Sequence, residues 1–314
     1  MKIIITGGAG YIGTKLTSSL LSDGHEVTVI DNCWFGNFLK KNKKFKLIKK
    51  DIRKFNEINI SSTDVLIHLA NIANDPSVEL NPNLSWEVNV LASKQIAEHA
   101  IKKKIKKIIF FSSGSVYGVK KEKNVTEELS LKPISIYNKT KMIAERVFLS
   151  YGDKIDIICL RPATVCGLSK RLRLDLTVNK LTFDGFFKRK IFVDGGKQIR
   201  PNVNIKDLIR VVKHFLLKKK FNHSIYNVGF ENLSIKKIAE KIATKTKAKI
   251  IVKRKTDIRS YRQDSRRLIK TGFKPKFNID LAIDGLIKHF STKKVHNFGV
   301  KNFNLKQMKK INVK

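Results

Sequence analysis

The sequence predicts an α/β protein with a doubly wound parallel sheet, followed by a smaller α+β lobe. Two observations favour this class. Up to about residue 162, short runs rich in Ile and Val alternate with longer segments whose apolar residues have helical spacing. Parallel strands need long crossovers, and the helices in those crossovers cover both faces of the sheet. After about residue 165 this alternation gives way to shorter and less regular elements.

The elements follow in order along the chain. The first strands are expected at 2–6 (KIIIT), 26–31, 45–51, 64–70, 106–113 and 156–162, with helices at 11–22, 85–102 and 137–151. The second part is expected to hold a basic helical stretch (172–190), strands at KIFVDGG and IRPNVNI, a helix from Asp207, a strand at 225–229, a helix after Ser234, and a strand at 249–254. Asp207 and Ser234 are predicted N-caps, because each precedes a periodic apolar stretch.

These elements predict three regions. We expect a dinucleotide-binding region at 1–165, to which later segments at about 199–230 return, and a mainly substrate-binding lobe at 166–291. Residues 292–314 are basic and weakly patterned, which is typical of a surface helix or a partly disordered tail.

Composition excludes several classes of protein. No apolar run approaches the roughly 18 residues that cross a bilayer, so we expect a cytoplasmic protein with no membrane partner. The cysteines, Cys33, Cys159 and Cys166, have neither CxxC nor metal-ligand spacing. We therefore expect reduced thiols and no metal site.

The net charge of +39 is the most unusual global property. It could mean attraction to nucleic acid, but the lysines are spread over the chain in short clusters such as KKNKK (40–44) and KKKIKK (102–107). No aromatic-interleaved nucleic-acid motif accompanies them. We therefore expect a lysine-rich surface without a nucleic-acid partner, and its field would attract phosphorylated ligands.

A glycine-rich turn, TGGAGYIG (6–13), follows the first strand and opens the first helix. Gly7, Gly10 and Gly13 there allow a tight turn, close approach of a pyrophosphate and close helix packing. Asp31 ends the second strand, where a carboxylate accepts hydrogen bonds from ribose hydroxyls and repels a 2′-phosphate. This combination is typical of a Rossmann-type sheet that binds NAD in preference to NADP.

Tyr137 and Lys141 lie four residues apart in YNKTK, which places them one turn apart on a helix face. A free tyrosine has a pKa near 10, but a neighbouring ammonium and the positive ring of oxidised NAD both favour the phenolate. The pair therefore predicts a proton acceptor.

Taken together, these motifs resemble the extended short-chain dehydrogenase/reductase superfamily, and within it the nucleotide-sugar epimerase and dehydratase family. The glycine spacing is GxxGxxG, and further matches run along most of the chain. They are HLAN (68–71), NVLAS (89–93), SSGSVYG (112–118), YNKTK (137–141), RPATVCG (161–167), RPNVNIKD (200–207) and YRQDSRR (261–267).

The resemblance implies roles for individual residues. It makes Ser113, Tyr137 and Lys141 catalytic, with Ser113 bonded to the reacting substrate oxygen and Lys141 holding cofactor ribose hydroxyls. The implied cofactor-binding residues are Gly7, Gly10, Tyr11, Ile12, Gly13, Asp31, Asn32, Asp51, Ile52, Leu69, Ala70, Asn89, Tyr137 and Lys141. The implied substrate-binding residues are Ser113, Asn179, Arg200, and Arg254 or Arg259.

The resemblance also implies a reaction. Dehydratases of this family place Asp-Glu directly after the catalytic Ser or Thr, whereas this chain has Gly114 and Ser115. Nucleotide-sugar 4-epimerisation through a transient 4-keto sugar therefore ranks first, with 4-ketoreduction or dehydration as alternatives. A non-catalytic dinucleotide- or RNA-binding protein on the same fold is the alternative of another class. The family commonly forms homodimers through two helices of each subunit.

Overall fold

The structure, a computed structural model, describes residues 1–60, 63–217, 221–254, 260–292 and 298–313. Its strands are β1 (Lys2–Thr6), β2 (Glu26–Ile30), β3 (Phe45–Ile48), β4 (Val65–His68), β5 (Lys107–Phe111), β6 (Asp156–Pro162), β7 (Thr164–Cys166), β8 (Lys190–Asp194), β9 (Ile199–Asn204), β10 (Ile225–Val228), β11 (Glu231–Ser234) and β12 (Lys249–Lys253). Its α-helices are α1 (Tyr11–Ser22), α2 (Asp75–Glu79), α3 (Pro82–Trp86), α4 (Ala92–Lys102), α5 (Ile136–Leu149), α6 (Thr177–Phe183), α7 (Ile205–Leu217), α8 (Ile235–Thr246), α9 (Arg266–Lys270), α10 (Ile279–Phe290) and α11 (Asn304–Lys310).

The main sheet has seven strands in the order β10-β6-β5-β4-β1-β2-β3, and every neighbouring pair is parallel. Alternate residues of β1 contribute to two different cores: Ile3 and Ile5 belong to one cluster, and Ile4 to the other. This alternation is the two-residue period of a strand with helices on both faces. The predicted doubly wound Rossmann-type fold is confirmed.

The second part of the chain forms smaller sheets. Strand β9 pairs with β7 and antiparallel to β11, and β12 pairs parallel to β8. A third core lies between these sheets and helices α6, α8 and α10, where Ile191, Ile238 and Ile283 are fully buried. Strand β10 returns to the edge of the main sheet beside β6, which brings the two parts of the chain together.

Two local predictions were wrong for the same reason. The helical stretch expected at 172–190 begins only at Thr177, because the Leu174 amide bonds the distant Asn302 carbonyl and the Asp175 carboxylate accepts from the Asn304 backbone amide. Asp207 lies inside α7 rather than at its N-cap, and its carboxylate accepts from the amides of Lys276 and Phe277. In both cases partners far along the chain override the local pattern. Ser234, in contrast, caps α8 as predicted, through the Lys237 amide.

The basic C-terminal region contains a helix that packs against the rest of the protein. In α11, Met308 is 2% exposed and belongs to the core cluster that also contains Ile52 and Phe55. The Gln307 side chain donates to the Trp34 carbonyl at 2.7 Å. The described part of this region is therefore an ordered portion of the fold. None of the described helices combines the length and the apolar character that crossing a membrane requires.

Candidate active site

The glycine-rich turn joins β1 to α1 at the carboxyl edge of the main sheet. Gly7 has φ +73°, and a Cβ there would lie 2.5 Å from the Ala70 amide nitrogen. Gly10 is the N-cap of α1 and provides no side-chain cap, so the first amides of the helix remain available. A Cβ at Gly13 would overlap the Gly7 carbonyl oxygen. The turn therefore presents an uncapped helix N-terminus, a structure suited to anions, and the packing at Gly7 and Gly13 leaves no room for a side chain.

Asp31 directly follows β2 and is tied to this turn. Its carboxylate accepts from the amides of Ala9 at 2.9 Å and Cys33 at 2.7 Å. Burial raises the pKa of Asp31, while these two hydrogen bonds and the charge of Arg171 oppose the rise. A carboxylate is therefore held beside the glycine turn.

Helix α5 carries Tyr137 and Lys141 on the opposite side of the carboxyl edge. Ser135 begins the helix by accepting from the Asn138 amide, and its hydroxyl donates to Asp75 at 2.6 Å. Ser113 follows β5, where its side chain caps a short 3₁₀ turn (Gly114–Tyr117). Its Oγ lies 2.8 Å from the Ser115 Oγ, and as a hydrogen-bonding neighbour it lowers the pKa of Tyr137.

The electrostatics of this group differ from the sequence-based expectation. Burial raises the pKa of Tyr137, and the positive charge that opposes the rise belongs to Arg173, with help from the Ser113 hydrogen bond. The expected charge effect of Lys141 on the phenol is not among these causes. The Lys141 ammonium lies over the Phe110 ring, 4.6 Å from its centre. Burial lowers the pKa of Lys141 to about 7, although Glu145 raises it.

One cleft of about 360 Å³ connects the glycine turn with the side chains of Ser113, Tyr137 and Lys141. Its walls contain both the glycine turn and the polar residues of α5 and of the β5 end, together with residues of the second part of the chain. The predicted site residues that line it are Gly7, Gly10, Tyr11, Ile12, Gly13, Leu69, Ser113, Tyr137, Lys141 and Arg200.

Other predicted residues lie elsewhere. Asn179 is fully buried outside the cleft wall: its side-chain oxygen accepts from the Gly167 amide, and its nitrogen donates to the Tyr11 hydroxyl and the Arg173 carbonyl. Its substrate contact stays a prediction. Asn89 is also internal and bonds both backbone groups of Ile72. Arg254 is exposed outside the cleft wall, and Arg259 lies outside the described residues.

The remaining predicted cofactor residues are not part of the cleft wall. Asp51 caps a 3₁₀ turn and pairs with Arg53, while Ile52 is buried in the core. Asn32 lies in a neighbouring surface pocket, beside Trp34 and Val313. Their roles, with that of Ala70, stay predictions.

The cleft also contains residues that motif reasoning missed. They are Asp75, Arg171, Arg173 and Asn304; Tyr261, the first residue of the YRQDSRR match, lines the cleft as well. Arg173 and Asp75 act electrostatically on Tyr137, in opposite directions. For Arg171 and Arg173 the sequence signal is the basic run RLRLD (171–175), most of which lies in the stretch predicted as a helix at 172–190.

A parallel sheet with a glycine turn at its first crossover, and a Ser-Tyr-Lys group at the same edge, defines an enzyme of the short-chain dehydrogenase/reductase class. The model of the NAD dependent epimerase/dehydratase family matches residues 3–229, so the chain belongs to this family. NAD is its cofactor. The glycine turn fits that group, as does a guanidinium nitrogen buried in the cleft: Arg171 Nε has no hydrogen-bond partner among the described residues.

Individual relatives have related activities. The UDP-glucose 4-epimerase of Lactobacillus helveticus is 28% identical over 272 residues, which cover 77% of this chain and 82% of that protein. A UDP-glucuronic acid 4-epimerase from Bacillus cereus, solved with UDP-glucuronic acid and NAD, is 25% identical with a TM-score of 0.79 and covers 92% of this chain and 100% of its own. An NAD-dependent NDP-hexosamine 5,6-dehydratase shares the fold, with a TM-score of 0.85 at 22% identity over 94% of this chain and 99% of its own.

Proposed function

We propose that this enzyme is an NAD-dependent nucleotide-sugar 4-epimerase that works through a transient 4-keto sugar. The observation that carries the proposal is that Ser113, Tyr137 and Lys141 line the same cleft as the glycine turn and Arg200. Epimerases that act on UDP-glucose and UDP-glucuronic acid are among the similar proteins. The negative pyrophosphate of a nucleotide sugar also matches the positive side chains of the cleft, which include Arg171, Arg173 and Arg200.

In the proposed mechanism, Tyr137 accepts the proton of the sugar hydroxyl and later returns it. NAD would be held at the glycine turn and by Lys141, and it would supply a reversible acceptor for the hydride of the sugar carbon, which in an epimerase would return to the other face of the ketone. Ser113 donates to the reacting oxygen, and it lines the same cleft as Tyr137. Without cofactor, burial raises the pKa of Tyr137 and keeps its phenol protonated. The positive charge of Arg173 and that of the oxidised nicotinamide ring both lower this pKa and favour proton loss.

The second part of the chain supplies the substrate end of the cleft. Arg200 on β9 is proposed to bind the pyrophosphate of the nucleotide sugar, because a planar guanidinium binds phosphate oxygens in a bidentate manner. We propose accordingly that residues 1–165, with segments near 199–230, form the NAD-binding part and that 166–291 form mainly the substrate part.

Dehydration is the alternative, because a dehydratase shares this fold. The residues directly after Ser113 disfavour it. Gly114 has no side chain and Ser115 is a hydroxyl in contact with Ser113, so neither can protonate a leaving hydroxyl as a carboxylic acid does. A 4-ketoreductase would consume added cofactor, whereas an epimerase regenerates its own.

The experiment is incubation of the protein with UDP-glucose, UDP-galactose and UDP-glucuronic acid without added NAD, followed by nuclear magnetic resonance of the sugar C4 proton. We expect the C4 epimer of at least one sugar. Tyr137→Phe should retain NAD and lose about 10²-fold or more in kcat. Tyr151→Phe is the matched control, because Tyr151 follows α5 and bonds Glu98 outside the cleft. A product lighter by one water, or a need for stoichiometric NADH, would instead establish the dehydratase or the ketoreductase.

We also propose a cytoplasmic homodimer. The described cysteines, Cys33, Cys159 and Cys166, are free thiols, as in a reducing compartment.

For the dimer, Leu91, directly before α4, is 57% exposed and would provide an apolar contact in the two-helix interface that is common in the family. Light scattering should give twice the mass of one chain, and Leu91→Lys should shift it towards the monomer. A monomeric unaltered protein would rule out the dimer.

A further inference from the structure

Arg171 is a buried arginine without a carboxylate partner among the described residues. Its side chain is 2% exposed, and one guanidinium nitrogen, Nη2, donates to the Asn304 side-chain oxygen at 2.6 Å. The guanidinium carbon lies 4.2 Å from the centre of the Phe35 ring. Nε has no hydrogen-bond partner in the described part of the protein. Burying a charge in this manner is unfavourable unless an anion compensates it.

The position of Arg171 indicates which anion this is. The side chain lines the cleft together with Gly10 and Ile12, which belong to the open N-terminus of α1. The groups that favour its charge are Asp175, which pairs with Arg173, and then Asp31 and Tyr11, both beside the glycine turn. Burial and the neighbouring Arg173 lower the pKa of Arg171 to about 9, so the group stays positive at neutral pH.

The C-terminal segment (residues 298–313) holds Arg171 in this position. The Asn304 amide donates to Asp175 at 3.3 Å, and the Asn302 side chain donates to the Leu172 carbonyl at 2.9 Å. The Leu174 amide returns a bond to the Asn302 carbonyl. The same segment reaches the loop after β2, where Gln307 bonds Trp34. It therefore bridges both rims of the cleft at its glycine-turn end, and it lies beyond the residues that the family model matches.

We infer that Arg171 binds the pyrophosphate of NAD and that Asn304, on the C-terminal segment, is its positioning residue, so that this segment completes the cofactor site. The inference rests on the proposed function only in taking NAD as the ligand. The pyrophosphate of the nucleotide sugar is the other anion of the same chemistry. Both Arg171 and Arg200 belong to the second part of the chain, and the structure favours NAD for Arg171 because Asp31 and Tyr11, at the glycine turn, are among the groups that act on its charge.

The test uses full-length protein freed of NAD, with calorimetric titration of NAD and, separately, of UDP. Arg171→Met should weaken NAD binding roughly 10- to 100-fold, the value of a charge-assisted hydrogen bond, and leave UDP binding within about twofold. Because the substitution removes a buried charge that no described carboxylate contacts, the melting temperature of the NAD-free protein should be unchanged or higher. Arg266→Met, on an exposed arginine outside this cleft, is the control and should change neither affinity.

The role of Asn304 is tested by a double-mutant cycle. Asn304→Ala should weaken NAD binding several-fold in the unaltered protein and have no further effect in the Arg171→Met background, because it acts through Arg171. Equal effects in both backgrounds would refute the positioning role.

The main inference has clear contrary outcomes. Unchanged NAD affinity in Arg171→Met would overturn it, as would a loss confined to UDP. So would a fall of more than about 5 °C in the melting temperature of the NAD-free variant, because Arg171 would then be a structural residue. If the unaltered protein binds NAD but epimerises no sugar, the proposed function fails and the Arg171 result stands.

Discussion

The ammonium nitrogen of Lys141 lies 4.6 Å from the centre of the Phe110 ring, inside the cleft wall. The side chain is 5% exposed, and burial lowers its pKa to about 7. In the unfolded chain a lysine has a pKa of about 10.4. Between these two values the unfolded state binds more protons than the folded state, so this residue makes stability rise with pH there. Below pH 7 both states are protonated, and the full unfavourable effect of the buried charge remains.

Lys141→Met should therefore stabilise the NAD-free protein, by about 2 to 4 kcal/mol near pH 6 and by progressively less as the pH approaches 10. Urea unfolding from pH 6 to pH 9.5 measures the free energy of unfolding. Lys139→Met, on the exposed face of the same helix, is the control and should show no such trend. A gain that is constant with pH would show that Lys141 carries no charge penalty.

Local sequence signals were sufficient for the sheet and for half of the site. Strands such as β5 are continuous apolar runs, and the glycine turn is contiguous, so each can be recognised without knowledge of distant residues. Ser113, Tyr137 and Lys141 follow from short motifs on adjacent elements. These are the residues that the structure brings into one cleft.

The rest depends on partners that are far apart in the chain. Arg171 and Asn304 are separated by 133 positions, and neither belongs to a motif. Asp207 failed as a helix cap because its partners, Lys276 and Phe277, lie 69 and 70 residues away. Asn179 was assigned to the substrate from its place after a motif, and its side-chain oxygen also accepts from the Gly167 amide. Composition and periodicity contain no information on such pairings.

Asp31 should set the preference for NAD over NADP. Its carboxylate is fixed by the Ala9 and Cys33 amides, where it would repel a 2′-phosphate. Asp31→Asn should narrow the ratio of the NADP and NAD dissociation constants about tenfold or more, since the charge is lost while the shape is retained. Calorimetry with both cofactors measures the ratio. Glu26→Gln, an exposed change at the start of β2, should leave it unaltered. An unchanged ratio in Asp31→Asn would assign the discrimination to other residues.

Gly118 should tolerate no side chain. It ends the 3₁₀ turn after Ser113 with φ +70°, and a Cβ there would overlap the Lys132 carbonyl oxygen. Gly24 also has a positive φ, +84°, but a Cβ there would meet only the Lys44 ammonium, at 3.9 Å. Gly24→Ala should therefore cost about 1–2 kcal/mol of stability, from the left-handed backbone alone. Gly118→Ala should cost clearly more and also lower kcat. Equal losses of unfolding free energy in the two variants would contradict this.

Glu145 on α5 and Arg161 on β6 form a buried ion pair, with side chains 2% and 3% exposed. Arg161 Nη2 and Nε donate to the carboxylate at 2.5 and 3.0 Å, and Nη1 donates to the Tyr117 hydroxyl at 2.7 Å. Removing one partner leaves a buried charge without compensation, so Glu145→Leu or Arg161→Met alone should cost about 3–5 kcal/mol in urea unfolding. The double variant should be more stable than either single variant, because both charges leave the interior together. Since Glu145 also raises the pKa of Lys141, Glu145→Leu should lower that pKa further. Additive losses in the double variant would mean that the two side chains stabilise the fold through packing rather than through their mutual attraction.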